Sequence, residues 1–384
     1  MPTWYRSLAW SAVLLTFVVA VFGAYVRLSH AGLGCPDWPV CYGKITWPKS
    51  EEQIARANER FPERPVEVGK AWREQVHRHL AATLGLLVLG LALAAASRRR
   101  GGIAMVILAV FLVLGAIAAY LGKLYALSGA GVAVAVLLLL GLATRLRGLS
   151  PGPLPVIVLA LVILQAMLGL WTVTWLLKPI VVMAHLLGGI TVFALLLWHA
   201  LRLGGRSRGL PRNLRPALAG GLALLLGQIA LGGWVSANYA ALACPDFPTC
   251  QGRWWPEADF REGFVLWRGI GVDYEGGVLD APARTAIHLA HRVGAAIVLL
   301  YFAGLILALG RRGLWAWALL LGLLLVAQAG LGILNVLLGL PLPVAVAHHA
   351  GALLLVAVLI GILRRVGAEI ARAPSYRPPA PSRL

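Results

Sequence analysis

The chain has 384 residues, 60% hydrophobic and only 13% charged, with a mean hydropathy of +0.81. That composition excludes a soluble domain of this size, because uncharged runs near twenty residues long are membrane spans. The net charge of +19 does not point to nucleic acid. The basic residues fall in short clusters between apolar runs, which is the positive-inside pattern of a membrane protein.

Leu8 to Val26 is the first span, preceded by Arg6. It is longer than the apolar core of a cleaved signal and is expected to be retained. A polar loop over 29–75 holds Cys35-Pro36-Asp37-Trp38-Pro39-Val40-Cys41 and a charged stretch, Ser50 to Arg73, expected as an interfacial helix. Spans follow at 77–96, 102–121, 129–144, 153–176 and 182–203. The second half offers a span at 216–236, a polar loop over 237–285 with a second cysteine pair, and spans at 286–309, 314–336 and 344–363. That makes ten. A basic, proline-rich tail, Arg364 to Leu384, has the composition of a disordered segment.

Alternate connections hold the arginines: Arg98 to Arg100, Arg145 with Arg147, Arg202 to Arg215, Arg311 with Arg312, and Arg364 with Arg365. Those connections and both termini are expected in the cytoplasm, and both cysteine loops on the outer face of the cell membrane. Cys35 with Cys41 and Cys244 with Cys250 are then expected as two disulfides in an oxidising compartment. Zinc is the weaker reading, since neither pair has a nearby histidine or second pair to complete four ligands. A redox-active couple stays open beside a structural staple.

The chain repeats itself. Cys35–Cys41 returns as Cys244-Pro245-Asp246-Phe247-Pro248-Thr249-Cys250, and Gly23-Ala24-Tyr25-Val26 as Gly232-Gly233-Trp234-Val235, both at an offset of 209. Glu74-Gln75-Val76-His77-Arg78 pairs with His288-Leu289-Ala290-His291-Arg292 at 214, and Gln165 to His185 with Gln328 to His348 at 163. The drop of about 51 positions matches the two-span run 101–147. The expected fold is an all-α integral membrane protein of ten transmembrane helices: two duplicated four-helix bundles plus a helical hairpin inserted in the first half. Residues 1–100 with 150–210 form the first bundle, 101–149 the hairpin, 211–366 the second bundle and 367–384 the tail.

Of nine histidines, four hold repeat-matched places near helix starts: His77 and His185, then His291 and His348. Ionisable residues inside spans mark function. Two imidazoles from facing helices clamp a haem iron between apolar walls. A di-metal centre lacks carboxylate ligands, apart from Glu74. His349 competes with His348, though the offset favours His348; His30, His79 and His199 have no partner and read as loop or surface residues. Where the first half has Glu74, the second has His288. Glu74 shares a helix face with His77, so it either handles protons beside a bound group or is an interfacial acid paired with arginine. Arg78 and Arg292 either reach haem propionates or extend to the headgroups. Gln165, Gln228 and Gln328 read as interhelical packing positions.

Gly-x-x-Val-Arg at Gly23 to Arg27, Cys-Pro-Asp-Trp-Pro at Cys35 to Pro39, Glu-x-x-His-Arg at Glu74 to Arg78 and Gln-x-x-Leu-Gly at 165–169, with their second-half counterparts, resemble the haem A synthase/cytochrome oxidase assembly family. The resemblance covers most of the chain outside 101–147 and the tail. It implies an eight-helix core of two four-helix bundles and oxidation of the haem O methyl at ring position 8 to the formyl of haem A. It implies that His77 and His185 bind the substrate haem O with Glu74 acting beside it, and that His291 and His348 hold haem B. It further implies loop disulfides Cys35–Cys41 and Cys244–Cys250. Expected partners are membrane lipid, haem O synthase and terminal oxidase assembly factors, with a homo-oligomer possible through the hairpin. The extra hairpin is the departure. Two rivals remain: a dihaem b-type electron-transfer protein, and a disulfide–quinone oxidoreductase.

Overall fold

The computed structural model describes residues 1–204 and 212–366. The expected disordered tail, 367–384, and most of the basic loop before residue 212 lie outside the described residues. Helices are α1 (Thr3–Leu28), α2 (Glu51–Arg60), α3 (Val68–Ala96), α4 (Gly102–Leu121), α5 (Tyr125–Arg145) and α6 (Leu154–Thr174). They continue with α7 (Pro179–Leu203), α8 (Arg215–Ala237), the short α9 (Phe260–Gly263), α10 (Ala281–Gly310), α11 (Trp315–Leu337) and α12 (Leu342–Arg365). All but α2 and α9 are long and apolar enough to cross a membrane, giving ten spans among the described residues. The chain is a multi-pass membrane protein, all-α, with no sheet among the described residues.

Local chemistry sets the helix starts. Proline sits in the first turn of α6, α7, α8, α10 and α12, where its missing N–H costs nothing. The Asp280 carboxylate caps α10 by accepting from Ala283 N at 3.0 Å. Ser50 caps α2 in the same way, accepting from Gln53 N at 3.3 Å. The charged stretch Ser50 to Arg73 is not one interfacial helix. Pro62 and Pro65 end the run after Arg60, and 68–73 become the first turns of the α3 span.

Helix packing repeats with the sequence. In the first half α1 packs on α3, α3 on α6, α6 on α7 and α7 on α1. In the second, α8 packs on α10, α10 on α11, α11 on α12 and α12 on α8. Between the halves, α7 meets α8 and α12, and α1 meets α12. The α4–α5 pair packs on itself, then on α6, and more lightly on α3. His199, expected at the surface, is instead buried at the arginine end of α7. Its Nε2 lies 3.0 Å from the Tyr5 hydroxyl of α1, which satisfies both polar groups in the α1–α7 contact.

At the opposite end the loops of the two halves interlock. Arg64 bridges Asp273 at 2.7 Å and Glu275 at 2.8 Å. Tyr274 N donates to Leu176 O at 3.0 Å, and Lys178 Nζ stands 3.4 Å from the Trp267 ring centre. Arg27 donates to Ser236 O at 2.6 Å and lies over the Tyr239 ring. Ser236 is the residue that the offset of 209 pairs with Arg27 itself, so this contact joins equivalent points of the two repeats.

Each cysteine loop closes the same way. Disulfides join Cys35 to Cys41 and Cys244 to Cys250. After each, a two-residue turn puts both central residues at positive φ: Tyr42 and Gly43 at 52° and 73°, Gln251 and Gly252 at 55° and 69°. That is the geometry a tight hairpin needs, and glycine supplies half of it without strain. The shared aspartate fixes the turn. Asp37 accepts from Tyr42 N and Gly43 N, both at 2.6 Å; Asp246 accepts from Gln251 N at 2.5 Å and Gly252 N at 3.0 Å.

The Thr249 hydroxyl and the Gly252 and Gln251 amides hold the Asp246 carboxyl below the usual aspartate range. With the folded pKa below the unfolded one, this stabilisation is complete above the ordinary value of about 3.9 and fades as pH falls through the depressed value. Amide exchange at Gln251 and Gly252, corrected for intrinsic rate, should stay slow down to about pH 4 and quicken only below it. Asp246→Asn should remove that dependence and quicken exchange at all pH values.

Candidate functional site

A cavity of about 1880 Å³ runs between the helices of both halves, and His77, His185, His291 and His348 all line it. Ordinary small-molecule pockets hold roughly 300–1,000 Å³. This one has room for more than one large flat group.

Each of the four imidazoles is seated against a glycine on the neighbouring helix. A Cβ built on Gly23 of α1 would lie 2.9 Å from His77 Cε1, and one on Gly169 of α6 would lie 3.5 Å from His185 Cε1. In the second half the matching distances are 3.1 Å from Gly232 of α8 to His291 and 3.1 Å from Gly332 of α11 to His348. Sequence reasoning noted glycines near the glutamines only as aids to close helix approach. Their place opposite the histidines appears only when the helices are paired.

The glutamines lie one turn before three of these glycines, and each meets a second glycine one turn after the histidine. Gln165 packs on Gly188, Gln228 on Gly294 and Gln328 on Gly351, at distances that leave no room for a Cβ. In the second half they also tie the rings. Gln228 Nε2 is 3.0 Å from His291 Nδ1, and His348 Nδ1 is 3.1 Å from Gln328 O. In the first half the tie is missing at His77, where Val19 replaces the glutamine and Nδ1 is buried without a hydrogen-bond partner among the described residues, while His185 keeps the backbone carbonyl of Gln165 beside it. His349 also lines the cavity, with its Nε2 buried and without a hydrogen-bond partner among the described residues.

Glu74 is 5% exposed and both its oxygens are engaged. Oε2 accepts from Cys35 N at 2.9 Å, and Oε1 accepts from Arg78 Nη2 at 2.5 Å. In the second half His288 Nδ1 takes the place of Oε2, accepting from Cys244 N at 3.3 Å. Glutamate and histidine therefore do one common job, holding the first cysteine's amide to the helix. Only glutamate adds a carboxylate on the cavity wall.

Arg78 donates to Asp37 O at 2.8 Å and Val40 O at 2.7 Å. Arg292 donates to Cys244 O at 3.0 Å, Asp246 O at 2.8 Å and Thr249 O at 2.8 Å. Both guanidiniums thus lie between loop and cavity, anchoring the loop where sequence alone left propionate or headgroup contact open. The four cysteines are at most 1% exposed. Thiol exchange needs access for an attacking thiolate, so burial favours the staple over a redox couple, and bonded sulfurs leave no thiolate for zinc.

The chain matches the family described as cytochrome oxidase assembly protein over residues 6–130 and 125–360. It is 40% identical to a heme A synthase of Shewanella oneidensis, across 91% of this chain and 93% of that protein. A heme A synthase of Sphingopyxis alaskensis is 28% identical across 93% of this chain and 90% of its own length. One of Rhizorhabdus wittichii is 25% identical across 90% and 89%. With its doubled histidine seats and matching loops, the chain belongs to the haem A synthase/cytochrome oxidase assembly family.

Proposed function

We propose that the chain is a haem A synthase, a membrane oxidoreductase that converts the C8 methyl group of haem O to the formyl group of haem A through hydroxylated intermediates. The observation that carries this reading is the fourfold histidine-on-glycine seat around one cavity. Two imidazoles per half suit an iron whose macrocycle supplies the other four nitrogens. A ligating histidine usually donates its second N–H to a fixed acceptor, and His348 has one in Gln328 O.

The halves divide the work. In the second, His291 and His348, tied to glutamines, hold haem B, which when bound supplies a one-electron carrier. In the first, His77 and His185 bind haem O, a substrate that enters and leaves, with the His77 ring lacking such a tie. Glu74, three residues before His77 and so on the same helix face, holds or moves a proton near the ring edge during oxidation. Arg78 and Arg292 keep the loops over the cavity and turn remaining N–H donors toward haem propionates. The two four-helix units, with the hairpin 101–149 inserted in the first, are the domains of this division. In the cell membrane both termini face the cytoplasm, the cysteine loops lie outside, and haem O synthase and terminal oxidase assembly factors are the neighbours.

Replacing Glu74 by glutamine would disturb the Cys35 amide as well as remove the charge. Glu74→His is cleaner, because it installs the second half's own solution. Purified from cells that make haem O, that variant should retain both haems and its loop disulfide but yield no haem A or hydroxylated precursor by mass spectrometry of extracted haem. Undiminished haem A would reduce Glu74 to a loop anchor. Haem B alone in the wild-type protein, with haem O present and unconverted, would favour the dihaem electron-transfer protein.

The glycine seats give a graded expectation. Overpacking a filled contact costs about 1–3 kcal/mol. Gly23→Ala, whose new Cβ would stand 2.9 Å from the His77 ring, should weaken haem binding in the first half about tenfold or more. Gly169→Ala, at 3.5 Å, should bind nearly as the wild type. Haem titration of the two variants in detergent checks the order.

A further inference from the structure

The inserted hairpin lies in the half that carries Glu74, and it lines the same cavity as His77 and His185. From α4 the lining runs from Ala109 and Val110 through Val113, Leu114, Ala116 and Ile117 to Tyr120, a broad apolar stripe along one side of the helix. From α3, Ala81, Gly85 and Leu89 line the same cavity. No charged side chain of α4 or α5 lines the cavity; the hairpin's polar groups there are Ser128 and the hydroxyls of Tyr120 and Tyr125 toward the loop end. Tyr120 in turn meets Trp38 of the first cysteine loop edge to face. The hairpin and α3 thus wall a largely apolar part of the one cavity that also holds the histidine seats. In the second half α10 and α11 contribute Ala295, Leu299 and Ile333 to the cavity, but no inserted pair covers them.

We infer that the α4–α5 hairpin forms a channel for the isoprenoid tail of haem O, and that this channel orients the macrocycle in the first half. The inference rests on the reading of that half as the haem O site. Haem O differs from haem B by one long, methyl-branched apolar chain at the ring edge, and this part of the cavity is apolar and belongs to the same space as the ring seats. Surrounding lipid is as apolar as the channel, so the tail gains little from transfer alone. The gain is in packing and direction. A macrocycle held only by its two axial imidazoles can rotate about the axis they define, and a tail fixed in one channel selects one rotation. That decides which methyl group is presented toward Glu74. The second half, without the hairpin, has no such selector and accepts a haem without a tail.

Val113→Trp fills this part of the cavity from a half-buried position, while Leu108→Trp puts the same ring on the outward face, where Leu108 is 51% exposed. Both are made in the full chain and titrated in detergent with haem O and with haem B, following the change in absorbance at the first half in protein already holding haem B in the second. The wild type and Leu108→Trp should prefer haem O at least tenfold in the first half. Val113→Trp should lose that preference while binding haem B as before. A preference for haem O unchanged in Val113→Trp would overturn the channel and leave the haem O reading intact. So would equal binding of the two haems by a wild type that still makes haem A. Equal binding with no haem A formed would overturn the underlying reading and the channel with it.

Discussion

The contact between an imidazole edge and a glycine backbone, made four times, sets how closely the helices of each half approach. In lipid there is no hydrophobic drive between helices, so association depends on close packing and a few buried hydrogen bonds. A histidine inside a span is costly unless its ring is enclosed and its nitrogens have a use. Glycine at 23, 232 and 332 meets the first requirement by removing the side chain that would crowd the ring, and Gly169 lets the His185 ring rest in van der Waals contact. The pairs this creates, α1 with α3, α6 with α7, α8 with α10 and α11 with α12, are sides of the two helix rings. The seats therefore build the fold and the cavity at once.

The cysteine loops depend on those helices in turn. Each loop carries a disulfide, an aspartate-capped turn and carbonyls bound by the arginine next to the histidine. The arginine follows its histidine by one residue, so the helix that presents a ring to the cavity also holds the lid above it. Glu74 and His288 complete the attachment through the first cysteine's amide. A change at either loop is felt within one helical turn of a ring. The interlocked ion pairs between the halves, Arg64 with Asp273 and Glu275, are partly exposed and worth little singly. They set register between loops more than stability.

Much of this was legible in the sequence. Ten spans followed from apolar runs, and the doubled plan from offsets shared by cysteines, histidines and glutamines. What composition and spacing hid was partnership. Gly23 stands 54 positions before His77, and no linear pattern joins them; the Gln-x-x-x-Gly spacing at 165, 228 and 328 was visible, but its target was not. Periodicity could not place His199, because a polar residue near a span end reads as surface until Tyr5 is brought beside it. The charged stretch before α3 misled for the opposite reason: its charge concealed that 68–73 extend a membrane helix past the apolar run. Lys178 gave no signal, since its cover, Trp267, comes from the other half.

Duplication alone would give two equivalent sites, and the departures from symmetry cluster on one side. The first half has a carboxylate where the second has imidazole, valine where the second has a ring-tying glutamine, and a hairpin that the second lacks. Each departure loosens or differentiates the first site: an unpartnered ring nitrogen, an ionisable neighbour, an additional wall. Each retained feature in the second tightens it. A cofactor that stays benefits from rings held by fixed partners, whereas a substrate that must leave as product does not. On the proposed division of roles, the shared seats fix ring position, while the residues around each seat set how long and in which orientation a guest remains.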